Sequence, residues 1–246
     1  MGIRLEYICA LTNLYGHATP ELICEIYNQQ NHDACAIAEF DVFLMNPKES
    51  IENRYVYIKN GTFIEETLYL FKEKYEQLCA EQAGKPYYIP EKYQLLRFAD
   101  LNYWEKPLEY EELEAYILRE FFPNQKVTGL NLADELFYHM ADNNFEASLQ
   151  TLIHYEVLLD EDKASDPFLN IMQRLHNNTR MRAHKAHTPI EISKLTGESV
   201  YILPDKRLED DNDCHCGSKK KYKECHLTDD DKIRRLSEYR NGLKKL

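Results

Sequence analysis

The chain predicts a mainly α protein with one small β-hairpin, and three observations predict it. Apolar residues recur at helical spacing through most of the 246 residues. Helix-start chemistry appears twice, as Thr19-Pro20-Glu21-Leu22 and as Thr188-Pro189-Ile190-Glu191. One β-rich stretch, 55–64, turns about Asn60-Gly61, a pair suited to a two-residue hairpin.

Residues 3–15 read as a helix carrying Ile3, Tyr7, Ile8, Leu11, Leu14 and Tyr15, stopped by Gly16. Thr19 caps the next helix, Pro20 fits its first turn, and Glu21 faces its positive end. A third helix is expected over 33–45, with Ile37, Phe40, Phe43 and Leu44. Three short helices followed by a hairpin resemble a winged helix. Helices are then expected over 65–83, 91–99, 108–121, 131–142 and 145–159, with Pro86 and Pro90 making 85–90 an extended connector. Another helix runs from about 168 to 185, and a short one follows Thr188 and closes at Gly197. A last helix, about 229–243, begins with acids and ends with Lys and Arg. The expected domains are a winged-helix-like α+β part over 1–70, a helical domain over 71–204, and a metal-binding tail over 205–246.

The chain has 43% hydrophobic residues and 18 tyrosines, enough for a packed interior with polar handles. Net charge is −12 and unevenly spread: residues 206–246 hold 12 Lys/Arg against 9 Asp/Glu, and the rest hold 18 against 33. An acidic body lacks the clustered cations that phosphate contacts need, so it is a poor nucleic-acid binder. No run approaches the length of a membrane span, and the first ten residues lack the apolar core of a signal peptide. The expectation is a cytoplasmic protein. Cys9, Cys24, Cys35 and Cys79 lie in apolar helical patterns and read as buried thiols.

Cys214, Cys216, Cys225 and His226 are different, because they fall within thirteen residues in the order C-x-C-x8-C-H. Three thiolates and one imidazole suit the tetrahedral preference of zinc. Gly217-Ser218 supplies a sharp turn, and the chain then returns Cys225 and His226 to close the site. So polar a segment cannot fold on apolar burial, whereas bound zinc supplies on the order of 10 kcal/mol. His215 is a rival nitrogen ligand, though a residue between two ligand cysteines tends to point away. A disulfide is the competing reading, and three cysteines would leave one unpaired. Four protein ligands leave no open position for water, which makes the zinc structural and argues against metal-dependent hydrolysis. Acidic residues 209–213 read as a solvated linker before the motif.

The run Cys214-x-Cys216-Gly217-Ser218-x-Lys220-Lys221-Tyr222-Lys223-x-Cys225-His226 closely resembles the SEC-C motif, named after the C-terminus of the SecA preprotein translocase. The resemblance covers about 13 residues. It implies zinc held by Cys214, Cys216, Cys225 and His226. It also implies that the basic loop of Lys219, Lys220, Lys221, Tyr222 and Lys223 meets a partner such as the translocase, a SecB-type chaperone, the ribosome or lipid. His215 departs from the family, which often has Pro there. More weakly, 86–90, 177–180 and 187–191 resemble segments of bacterial proteins that carry the same tail, which implies a shared helical body and no nameable activity.

The implied function is a zinc-binding adaptor whose knuckle docks to a protein or ribosomal partner. Two alternatives remain. One is a DNA-binding regulator built on the N-terminal part; its candidate recognition helix carries Asp33, Glu39 and Asp41 with no Lys or Arg, which favours protein contact over DNA. The other is an enzyme with a site in the helical body, around Asn178 and Arg180. His184, His187 and Glu191 read as cap and surface residues rather than a second metal site. Cys79 has no activating base beside it in sequence.

Overall fold

The computed structural model describes residues 2–45, 51–157, 165–197, 209–214, 220–225 and 227. It is mainly helical with one three-stranded antiparallel sheet. The chain divides into two compact units. The first comprises Met1–Glu105 and Arg180–His187, so it is assembled from two separated stretches; the second comprises Lys106–Thr179 and the chain from Thr188 on.

In the first unit, helix α1 (Gly2–Tyr15) is buried on all sides over residues 7–12. Its tyrosines still find partners: Tyr7 Oη donates to Gln30 Oε1 at 2.8 Å, and Tyr15 Oη to the Tyr88 carbonyl at 2.7 Å. Helix α2 (Pro20–Gln30) starts as expected, with Thr19 Oγ1 accepting from the Leu22 N–H at 3.3 Å. The helix expected over 33–45 is shorter. Residues 33–36 are not helical, Ile37–Phe40 form a 3-10 turn, and only α3 (Asp41–Met45) is α-helical. Side chains compete for this backbone. Asn28 accepts from the Cys35 N–H at 2.7 Å and donates to the Cys35 carbonyl at 3.2 Å, while Tyr27 Oη donates to Asp33 at 2.9 Å.

The hairpin pairs β2 (Val56–Lys59) with β3 (Thr62–Glu65), Lys59 facing Thr62. Asn60 and Gly61 both have positive φ, 53° and 78°, as the tight turn demands. A third strand, β1 (His17–Ala18), pairs with β3 and gives the order β1-β3-β2. Two residues carry no readable alternation, so this strand has no signature in the sequence. Helix 65–83 is split at Phe71 into α4 (Glu66–Leu70) and α5 (Lys72–Gln82). After the extended connector, α6 (Lys92–Leu95) tightens into a 3-10 turn, Leu96–Ala99.

Gln82 is buried and satisfied on every side. Its Nε2 donates to the Tyr15 and Arg182 carbonyls, each at 2.8 Å. Its Oε1 therefore faces His17 Nε2, 2.9 Å away. Residues 180–187 are fastened to the same unit by further bonds. Tyr88 N–H donates to the Lys185 carbonyl at 3.0 Å, Lys85 Nζ to the Ala183 carbonyl at 3.0 Å, and Arg182 Nε to the Asn13 carbonyl at 3.1 Å.

In the second unit, α7 (Leu108–Tyr116) continues as a π-helical turn, Ile117–Phe121. Helix α8 (Lys126–Ala141) begins five residues earlier than the expected 131, and α9 (Phe145–His154) follows. Helix α10 (Ser165–Asn178) ends short of the expected 185, because the following residues fold with the first unit. Helix α11 (Pro189–Thr196) opens with a reciprocal cap. Thr188 Oγ1 accepts from the Glu191 N–H at 3.2 Å, and the Glu191 carboxylate accepts from the Thr188 N–H at 3.1 Å. The core gathers Tyr110, Leu113, Leu136, Phe168 and Leu175. Asp134 accepts from Tyr110 Oη at 2.7 Å and from Lys106 Nζ at 2.5 Å, while that ammonium lies over the Tyr110 ring. Desolvation raises the Tyr110 phenol to about 12. Among the described residues no helix is long and apolar enough to cross a membrane. The helix expected over 229–243 lies outside the described residues.

Two outcomes are expected. Gly16 has φ +86°, and a Cβ there would lie 2.7 Å from Leu68 and from Leu78, whereas a Cβ at Gly61 would meet nothing. Urea denaturation should find Gly16→Ala about 2–4 kcal/mol less stable and Gly61→Ala only about 1 kcal/mol; equal losses would mean that packing at Gly16 contributes nothing. Burial holds His17 and His176 below the ordinary imidazole value. The unfolded chain then binds protons that the folded chain refuses, so stability is full above about pH 6.5 and falls as pH drops below it. The urea midpoint should decrease from pH 7 to pH 5.5, and less steeply in His17→Gln.

Candidate metal centre

The described part of the tail is joined by backbone pairing. Asp213 and Lys221 form an antiparallel bridge. The Cys214 N–H donates to the Lys220 carbonyl at 2.9 Å, the Tyr222 N–H to the Asn212 carbonyl at 2.8 Å, and the Lys223 N–H to the Asp210 carbonyl at 3.0 Å. Two short arms, 210–214 and 220–223, thus run side by side. A 3-10 turn, Tyr222–Glu224, follows and is closed by the Cys225 N–H on the Tyr222 carbonyl at 3.1 Å.

Cys214 is buried at 5% exposure in this polar segment, and Cys225 is half-buried. Burying a thiol-bearing residue in a strip with so little apolar material suits a ligand position, since zinc takes thiolates out of water. Cys216 and His226, the other two expected ligands, lie outside the described residues, as does His215. Among the described residues, which hold only two of the four ligands, no group of three His, Cys, Asp or Glu gathers for a metal. The donor set at the two described positions fits zinc.

The acidic run does more than link. Lys221 Nζ pairs with Asp213 at 2.9 Å, and Lys223 Nζ with Asp211 at 2.6 Å. Each lysine is raised above its ordinary value by the hydrogen bond to its carboxylate, and Asp211 is lowered by Lys223. All four side chains are exposed, so each pair adds little to stability and chiefly fixes register. Reading the sequence for ligands alone misses Asp211 and Asp213. Their signal is the alternation of acids before the Gly217-Ser218 turn and lysines after it. Of the expected docking residues, Lys220, Lys221 and Lys223 are exposed, Tyr222 is fully buried, and Lys219 lies outside the described residues.

The body offers no competing reactive centre at the positions singled out in the sequence. Asn178 Nδ2 donates to Glu109 at 2.9 Å and to the Arg174 carbonyl at 3.0 Å. Arg180 Nε pairs with Glu105 at 2.7 Å, and its guanidinium lies 3.5 Å from the centroid of the Tyr88 ring. Both therefore act as structural ties, in different units. His187 is buried edge-on against Tyr88, and Glu191 serves the Thr188 cap. Cys79 does gain a histidine: His17 Nε2 is 3.8 Å from its sulfur. Gln82 fixes what that nitrogen can do. With its amide N committed to two carbonyls, Gln82 presents only oxygen, so His17 Nε2 carries the proton and donates it to Gln82. A protonated nitrogen cannot take the thiol proton, and the contact is structural.

No curated protein and no solved structure matches the chain. Among family motifs, SEC-C matches residues 212–228, which takes in the end of the first arm, the whole of the second, and all four expected ligands. The chain carries a SEC-C motif, generally a zinc-binding one, at its C-terminal end.

Proposed function

We propose that this protein is a zinc-dependent adaptor whose tail docks to another macromolecule. Cys214, Cys216, Cys225 and His226 hold one structural zinc ion. When bound, the ion supplies the cohesion that the tail's apolar content cannot. The chain's own residues do the rest. The 210–214 and 220–223 arms set the approach of Cys214 and Cys225, and Asp211 and Asp213 hold Lys223 and Lys221 in register. Tyr222 fills the interior, and the lysines at 219, 220, 221 and 223 form the face that meets the partner. A partner bearing anionic surface, such as the translocase, a SecB-type chaperone or the ribosome, suits that face. The observation that carries this reading is the buried Cys214 on a backbone-paired loop that coincides with the SEC-C match. The tail from residue 205 is taken as a module separable from the body.

A second reading concerns residues 1–70. The strand order β1-β3-β2, with β1 between the first two helices and the hairpin at the end, supports a winged-helix-like part. Glu21 and Glu25 on α2, with Asp33, Glu39 and Asp41 after it, favour protein contact over DNA there.

Protein purified without chelators should contain about one zinc per chain, as expected of one four-ligand site. Cys225→Ser should lose the metal while far-UV circular dichroism and the main thermal transition hold. Metal-free wild type would sink the zinc assignment, and unfolding of the whole variant would sink the separable tail. Charge reversal at Lys219, Lys220 and Lys221 should weaken co-sedimentation with purified ribosomes, or capture of purified translocase or chaperone, about tenfold or more with zinc content unchanged. If all three partners are bound as tightly as by wild type, the basic face is not the docking surface.

A further inference from the structure

Two cysteines remote in sequence from the tail are close neighbours in the first unit. Cys24 lies on α2 and Cys35 in the stretch that follows it, eleven positions apart, with their sulfurs 3.5 Å from each other. A disulfide needs about 2.05 Å. The sulfurs are already in contact, and side-chain rotation has only about 1.5 Å left to close. Neither residue is free to drift. Asn28 grips the Cys35 backbone at both its N–H and its carbonyl. The Arg4 guanidinium reaches the neighbouring Ala34 carbonyl at 3.3 Å and Glu39 at 2.8 Å, on either side of Cys35. Scattered core cysteines have no need of such a seat.

We propose that Cys24 and Cys35 form a site of reversible oxidation, joined as a disulfide by hydrogen peroxide. The pair is only 7% and 6% exposed, which suits a small oxidant better than a bulky disulfide such as oxidised glutathione. The Cys35 sulfur attacks one peroxide oxygen. An S–O bond forms as the O–O bond breaks, and the departing hydroxide leaves as water with the thiol proton. Cys24 is the resolving thiol, because its S–H donates to the Cys35 sulfur and so favours the first attack there. Its sulfur attacks the sulfenic sulfur of Cys35. The S–S bond forms, the S–O bond breaks, and hydroxide leaves with the Cys24 proton as a second water. Two thiols and one peroxide give one disulfide and two waters. The bridge fastens α2 to the stretch that Arg4 and Asn28 hold, and reduction by a dithiol releases it.

Peptide mapping of the full-length, zinc-loaded protein tests this. After peroxide treatment, thiols are alkylated in denaturant and the chain is cut after glutamate. Cleavage at Glu6, Glu21, Glu25 and Glu39 separates 7–21 with Cys9, 22–25 with Cys24 and 26–39 with Cys35. The expected result is that 22–25 and 26–39 emerge linked, that dithiothreitol parts them, and that Cys9 is alkylated throughout. Recovery of Cys24 and Cys35 as separate alkylated or singly oxidised peptides, under conditions that oxidise the tail cysteines, would overturn the proposal. Cys24→Ala should leave a sulfenic acid at Cys35 that dimedone traps; a peroxide-treated variant with no adduct there would overturn the order of attack.

Discussion

One buried amide ties the first unit together. Gln82 reaches Tyr15 across 67 residues and Arg182 across 100, and it fixes the protonation of His17 as it does so. Without it the Tyr15 carbonyl would lose its side-chain donor in a buried position, and such losses are expensive in a dry interior. The end of α1, the short strand β1, the end of α5 and the 180–187 stretch therefore share a single dependency. Because both amide hydrogens go to carbonyls, the amide's orientation is not negotiable, and neither is the tautomer of the imidazole facing its oxygen. The same constraint that stabilises the fold removes His17 from acid–base chemistry with Cys79.

The tail solves the opposite problem. The body buries tyrosines and aliphatic side chains by the dozen, whereas residues 209–225 carry acids, lysines and few apolar groups. Backbone pairing alone is too weak to hold such a strip, and its ion pairs are exposed. A multivalent ion coordinating several donors from both arms is the kind of interaction large enough to compensate. The placement of acids before the turn and lysines after it keeps the strip from repelling itself. It also leaves the strip far less cationic than a lysine count suggests.

Much of the fold was legible in the sequence where local chemistry decides the outcome. Gly16, the Asn60-Gly61 turn and the Thr188–Glu191 cap all do what their residue types predict. The helical class and the hairpin follow from apolar periodicity. What escaped was set by contacts between distant residues. The β1 strand is too short to show a pattern, and 33–36 lose their helix to side chains on α2. Helix α10 stops early because the next residues are bonded to Gln82, Lys85 and Tyr88. In the tail, the SEC-C motif was readable directly from residue types and spacing. The match of Asp211 to Lys223 and Asp213 to Lys221 was not, since it depends on a register that only the paired arms define.

The first unit is completed by residues 180–187, which follow helices α7 to α10 of the second. During vectorial synthesis, the amides and carbonyls that await Arg182, Ala183 and Lys185 stay exposed until that late stretch clears the exit tunnel. By then α7 to α10 have already emerged. The order in which the chain is made is therefore not the order in which it can be finished: the earlier half must wait, partly assembled, for its last piece to be delivered through the later one.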